Sequence, residues 1–266
     1  MESLLWVFTI CLALGAFVGF MAGLLGIGGG LIIVPALIYL LPSVGITSSL
    51  LPHIAIATSL AAIILTSLSS ARAHHLRGNV PWHLFRSMLP GIVVGALAAG
   101  FIAEHIPSEL LQQIFAGFVM LMALQMAWPI KAESQRSLPN AGVLFAVSAV
   151  IAAIAGLMGI GGGVLLVPFL TYCGLQMRMA VGFSAATGLL IAVSGSIGYI
   201  ISGWNAPDLP DGTLGYIFVP ALLGIVITSV LVAPIGVKAA SVWPTPVLKK
   251  IFALFLLAIG LKLVWG

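Results

Sequence analysis

The residues best placed to do chemistry in this chain are glycines. Gly-Ile-Gly-Gly-Gly occurs at 26–30 and again at 159–163. Three consecutive glycines interrupt a helix, and inside hydrocarbon such a break is tolerated only where it is buried in protein or lines a cavity. If a helix starts directly after the break, its first N–H groups and the positive end of its dipole converge on one point, which suits an anion. The candidate binding residues are therefore Gly28, Gly29 and Gly30 in the first copy and Gly161, Gly162 and Gly163 in the second. Close approach of helix backbones is the competing reason for glycine here. The duplication favours binding, because Gly-interrupted segments at matching positions in two halves point to a transporter's substrate site. Pro35 and Pro168 follow the last glycine of each copy at the same spacing.

Hydroxyls on the apolar segment after each motif form a second set: Thr58, Ser59, Thr66 and Ser67, then Ser184, Thr187, Ser194 and Ser196. A hydroxyl in a membrane helix often does no more than bond a carbonyl one turn back. Ser59 and Ser184 stand at equivalent places, so Thr58, Ser59, Ser184 and Thr187 join the candidate substrate-binding set. The six acids lie at segment ends or in loops, which argues against a carboxylate proton relay. Arg72, His74, His75 and Arg77 precede His83 and Arg86 in one basic stretch. They are either solvated interface residues or a vestibule whose positive potential concentrates anions. His53 and His105 fall at the opposite ends of their segments. No catalytic residues are expected: the Gly motif lacks the Lys-Ser/Thr of a P-loop and the spacing of a dinucleotide fingerprint. No His-x-x-x-His or carboxylate cluster offers metal ligands, and Ser194-Gly195 has no histidine in its own half to activate it. Neither an enzyme nor a cofactor is expected.

The elements that must position these residues are membrane helices. Of 266 residues, 61% are hydrophobic and only 6% charged, with a mean hydropathy of +1.25. A soluble fold cannot cover its surface with so few charges. The ten Lys and Arg are scattered, so they make no nucleic-acid face. Cys11 and Cys173, inside apolar runs, read as small hydrophobes. The first twenty residues read as a retained span, because Glu2 stands where a signal peptide carries positive charge.

The chain repeats itself. Residues 23–39 and 156–172 share eleven of seventeen identities, and 107–128 aligns with 244–265. The expected organisation is membrane repeat 1 over 1–128, a cytoplasmic linker over 129–139 and membrane repeat 2 over 140–266. Apolar segments fall at about 3–24, 29–41, 52–71, 88–103 and 108–128, then 140–157, 162–173, 180–202, 213–233 and 245–265. The second segment of each half is too short for the hydrocarbon. If it does not cross, basic residues divide six inside to four outside. If it does, the halves are inverted and nine lie inside, leaving only Lys262 outside, which fits the positive-inside bias far better. The expected fold is an all-α integral membrane protein of two inverted five-segment repeats with Gly-broken half-helices and both termini outside. Gly15, Gly19 and Gly23, matched by Ser148, Ala152 and Gly156, are expected to pack the first helix of each half against a neighbour.

Gly-Leu-Leu-Gly-Ile-Gly-Gly-Gly…Val-Pro, its second copy, and Ala57-Thr58-Ser59-Leu60 together resemble the TauE/SafE family of sulfite and organosulfur anion transporters, over essentially the whole chain. The resemblance implies a multi-pass carrier of the bacterial cytoplasmic (inner) membrane, usually an exporter of sulfite, sulfoacetate or other sulfonates. It implies about eight spans, which counts the broken segments differently. Its motif residues fall at Gly26, Gly28, Gly29, Gly30, Thr58 and Ser59, and at Gly159, Gly161, Gly162, Gly163 and Ser184. The second half reads Gly182-Phe183-Ser184-Ala185, keeping only the serine of the family's Thr-Ser-Leu. The expected function is secondary transport of a small sulfur-containing anion by alternating access, with an anion channel as the alternative reading and a membrane scaffold as a third. The expected partners are that anion and the lipid bilayer, with no nucleic acid and with a homodimer left open.

Overall fold

The computed structural model describes residues 2–25, 29–127, 138–242 and 245–265. They form ten α-helices: α1 (Glu2–Leu25), α2 (Gly30–Ser43), α3 (Leu51–Leu76), α4 (Phe85–Glu104), α5 (Ser108–Ala127), α6 (Ala141–Leu157), α7 (Gly163–Tyr172), α8 (Met177–Ser202), α9 (Val219–Val242) and α10 (Thr245–Trp265). This is an all-α membrane architecture. α2 and α7 have 14 and 10 residues, or about 21 and 15 Å of helix against a hydrocarbon core of about 30 Å. Five stretches, in α3, α4, α5, α8 and α9, are long and apolar enough to cross a membrane. Gly28 and most of the 129–139 segment, with Lys131 and Arg136, lie outside the described residues.

Two boundaries differ from the sequence expectation. The segment expected at 213–233 begins instead as a short hairpin, Thr213–Leu214 paired antiparallel with Ile217–Phe218, and α9 starts at Val219. Pro220 marks that start, because a first-turn residue needs no N–H donor. α3 runs on past 71 to Leu76, so Arg72, His74 and His75 ride its last turns, where cations complement the helix dipole. His53 also departs from a solvated end position. It is 1% exposed, with Nε2 2.9 Å from the Ala103 carbonyl and Nδ1 3.3 Å from Ser108 Oγ. A buried ring of this kind needs such partners.

Small residues set the helix pairing. Gly15 and Gly19 of α1 lie against Ile225 and Ser229 of α9, and Gly91 and Gly95 of α4 against Phe145 and Ala149 of α6. Side chains at these glycines would strike the neighbouring backbone, so the close contact requires their absence. Ser148 adds a hydrogen bond to the Met88 carbonyl at 3.0 Å. In both pairs residue numbers rise together, so the helices run parallel. In two further pairs they run in opposite senses. Leu60 and Ser67 of α3 meet Gly195 and Gly188 of α8, and Gln112 of α5 bonds the Leu263 carbonyl while Gly260 lies against Met120. The third helices of the two sequence copies are thus antiparallel to each other, as are the fifth.

At the end where α3 begins, two loops are tied together. Asp208 Oδ2 accepts from Ser49 N and Ser49 Oγ at 2.9 and 3.0 Å, and Ser48 Oγ donates to the Asp208 carbonyl at 2.8 Å. Asp208 holds φ 60, a left-handed conformation that Asp and Asn tolerate. The two Ser49 donors hold its carboxyl below the usual carboxylate range. A depressed folded pKa contributes stability above the unfolded value of about 3.9 and loses it as pH falls through the folded one. Asp208→Asn, which keeps the backbone preference, should therefore lower the thermal midpoint at pH 7. Melting curves across a pH series should show the gap to wild type closing below about pH 3.9.

Candidate functional site

The two Gly-rich breaks end in the same local geometry. Gly29 has φ 81 and ψ −14, and Gly162 has φ 72 and ψ −14, a region where a Cβ costs about 1–2 kcal/mol. The Gly29 carbonyl accepts from Ile32 and Ile33, and the Gly162 carbonyl from Leu165 and Leu166. Neither helix start has a side-chain cap. A glycine N-cap can close the turn through its carbonyl, yet it offers no oxygen to the first N–H groups. Each break thus presents the donor end of a short helix to the protein interior.

The breaks meet each other, and they do so unequally. A Cβ on Gly30 would collide with the Gly159 carbonyl oxygen and lie 3.1 Å from Ile160 Cα. Ser59 Oγ, fully buried, donates to that same Gly159 carbonyl at 2.8 Å. The start of α2 is therefore closed by the backbone of the second break, with Ser59 as the clasp. The start of α7 is different. Among the described residues, a Cβ on Gly163 would meet Ser184 Oγ, at 3.2 Å. Ser184 is 3% exposed and its hydroxyl has no hydrogen-bond partner. An unsatisfied buried hydroxyl costs about 1–3 kcal/mol, so its retention calls for a reason.

The other two candidate hydroxyls are engaged. Thr58 Oγ1 accepts from Phe218 N at 3.0 Å, which anchors the hairpin to α3. Thr187 Oγ1 donates to the carbonyls of Phe183 and Ser184 on its own helix, at 3.0 and 3.2 Å. The fold thus gathers Gly29, Gly30, Ser59, Gly161, Gly162, Gly163 and Ser184 at one locus. It adds Ile63, Ser67 and Gly188, which lie against Gly161. Ser59, Ile63 and Ser67 recur at four-residue spacing, one face of a helix, and that stripe was the signal available for Ser67.

The basic stretch is connected to this locus by aromatic packing. Arg72, His75 and Arg77 are exposed and His74 partly so. Trp82 Nε1 donates to His75 Nδ1 at 3.3 Å. Trp82 packs on Phe85 and Phe85 on Phe183, with centroids 4.8 and 4.9 Å apart. Phe183 is fully buried and precedes Ser184. Among the described residues no group of His, Cys, Asp and Glu could hold a metal ion.

The inequality between the two helix starts has a measurable consequence. Gly30→Ala forces backbone against backbone, an overpacking cost of about 1–3 kcal/mol, whereas Gly163→Ala meets, among the described residues, one small side chain. Thermal unfolding of the purified variants should place Gly30→Ala below Gly163→Ala.

A family model described as "Sulfite exporter TauE/SafE" matches residues 11–263. A probable membrane transporter protein of Haemophilus influenzae is 41% identical over 257 residues, covering 96% of this chain and 97% of the relative. The probable membrane transporter protein YunE of Bacillus subtilis is 29% identical, covering 74% and 79%. MJ0441 of Methanocaldococcus jannaschii, with the same description, is 27% identical, covering 86% and 85%. No solved structure matches. With almost every helix inside the matched region and a relative aligned nearly end to end, the chain belongs to the TauE/SafE family of membrane transporters.

Proposed function

We propose that this transporter carries a small sulfur-containing anion, such as sulfite, sulfoacetate or another sulfonate, outward across a bacterial inner membrane. The anion binds at the start of α7. The observation that carries this reading is the buried, unpartnered Ser184 hydroxyl beside the uncapped first turn of that helix. A helix N-terminus and a hydroxyl can donate to several anion oxygens without a buried Lys or Arg. Gly161, Gly162 and Gly163 supply the backbone wall. Gly29, Gly30 and Ser59 form the facing wall, Thr58 anchors the hairpin beside it, and Thr187 lies one turn beyond Ser184 on α8. The sulfur anion and the export direction are supported by the family's description.

In this reading residues 1–128 and 140–266 are inverted repeats joined by 129–139, with both termini outside. The opposite courses of α3 and α8 and of α5 and α10 support the inversion, as does the nine-to-one distribution of basic residues. Arg72, His74, His75 and Arg77 form the inner vestibule. The file of Trp82, Phe85 and Phe183 stands between that vestibule and Ser184, so alternating access must part it.

Ser184→Ala and Ser59→Ala separate binding from structure. Ser184 has no protein partner to lose, so Ser184→Ala should keep the wild-type thermal midpoint. Its counterflow of labelled sulfite or sulfonate in proteoliposomes, at subsaturating substrate, should fall about tenfold, the equivalent of one anion hydrogen bond. Ser59→Ala should instead lower stability by about 1–2 kcal/mol. Full-rate counterflow by Ser184→Ala removes Ser184 from the site. Absence of counterflow by the wild type with every sulfur anion rejects the substrate class.

A further inference from the structure

In the inverted arrangement proposed above, on which this inference rests, Lys262 is the one basic residue set apart from the other nine. It stands in the last turn of α10, and its Nζ lies 4.3 Å from the centroid of the Tyr39 ring on α2. Tyr39 is near the end of α2 that leads into α3, whereas Arg72 and Arg77 are at the far end of α3. The Tyr39 hydroxyl is buried and has no hydrogen-bond partner. A cation over the ring face and an unsatisfied donor on the same ring are thus offered together, at a place where the positive-inside bias disfavours Lys.

An apolar cavity of about 220 Å³ adjoins Tyr39, and Leu14 and Phe17 of α1, Ile32 of α2, and Phe255 and Ile259 of α10 also line it. It lies alongside α2, between α1 and α10. Phe17 and Phe255 are 45% and 36% exposed at its rim, so it opens on the bundle surface, which in this membrane protein faces acyl chains. From Phe255 to Lys262 is about 10 Å of helix, which fits within one leaflet of about 15 Å.

We infer that this groove is a phospholipid site, with one acyl chain lying in the cavity and the phosphate held by Lys262 Nζ and the Tyr39 hydroxyl. The lipid bilayer supplies the occupant, and the charge and orphan donor at one end select its headgroup. Phosphate oxygens accept from both groups, which satisfies the hydroxyl and pairs the ammonium. The site is separate from the Gly-rich breaks and does not depend on what the transporter carries.

The test uses the full chain in liposomes containing phosphatidylglycerol with a photoreactive acyl chain, against diacylglycerol with the same chain and no phosphate. After illumination, labelled peptides are mapped. Phosphatidylglycerol should label peptides of α1, α2 and α10 around the groove about tenfold more than diacylglycerol does, the discrimination expected of one charge-assisted contact. Lys262→Gln and Tyr39→Phe, both conservative in size, should each bring the phosphatidylglycerol signal down to the diacylglycerol level. Equal labelling of the groove by the two lipids in the wild type overturns the assignment. So does undiminished phosphatidylglycerol labelling in either variant.

Discussion

In hydrocarbon no water completes the hydrogen bonds of an interrupted helix, so every broken segment must find its partners in protein. Two Gly-rich breaks in one small membrane chain impose that requirement twice, and the chain meets it by turning the breaks toward each other. Gly30 reaches the backbone of Gly159 and Ile160, Gly161 reaches Ile63 and Gly188, and Ser59 holds the Gly159 carbonyl. The long helices α3 and α8 supply these contacts from either side. The pairs α1 with α9 and α4 with α6 enclose them, drawn close by glycines and Ser148.

Mutual closure is also what makes the centre unequal. The Gly159 carbonyl that accepts from Ser59 also blocks the start of α2, with Ser59 as the clasp. The second break lacks an equivalent clasp among the described residues, and Ser184 remains unpaired beside it. Phe183 is part of the cause. Where the first copy has Thr58, whose oxygen anchors the hairpin through Phe218 N, the second has an aromatic ring packed on Phe85. One copy spends its polar groups on architecture, and the other keeps a donor in reserve.

Much of this was legible beforehand, for physical reasons specific to a membrane. Ten apolar segments, the two short ones included, follow from the length needed to span hydrocarbon and from glycine runs that no helix passes through. The small-residue faces of α1 and α6 followed from their four-residue spacing. Less legible were features decided by contacts between distant segments. The hairpin before α9 is apolar enough to read as helix, and only its pairing and Pro220 set the boundary. His53 looked like an interface residue because its partners, Ala103 and Ser108, come from two other helices.

The sequence by itself determined that the chain lives in a membrane, that it is doubled, and that each copy breaks at Gly-Ile-Gly-Gly-Gly. Those properties are local: they depend on hydropathy, periodicity and the absence of side chains at particular positions. Which hydroxyl is held and which is free was decided only by tertiary structure. Ser59 and Ser184 are equivalent as residues, and Thr58, Thr187 and Ser184 are alike in chemistry. A hydroxyl becomes structural or available according to whether a carbonyl from another helix lies within about 3 Å of it, and that distance is a property of the packed bundle.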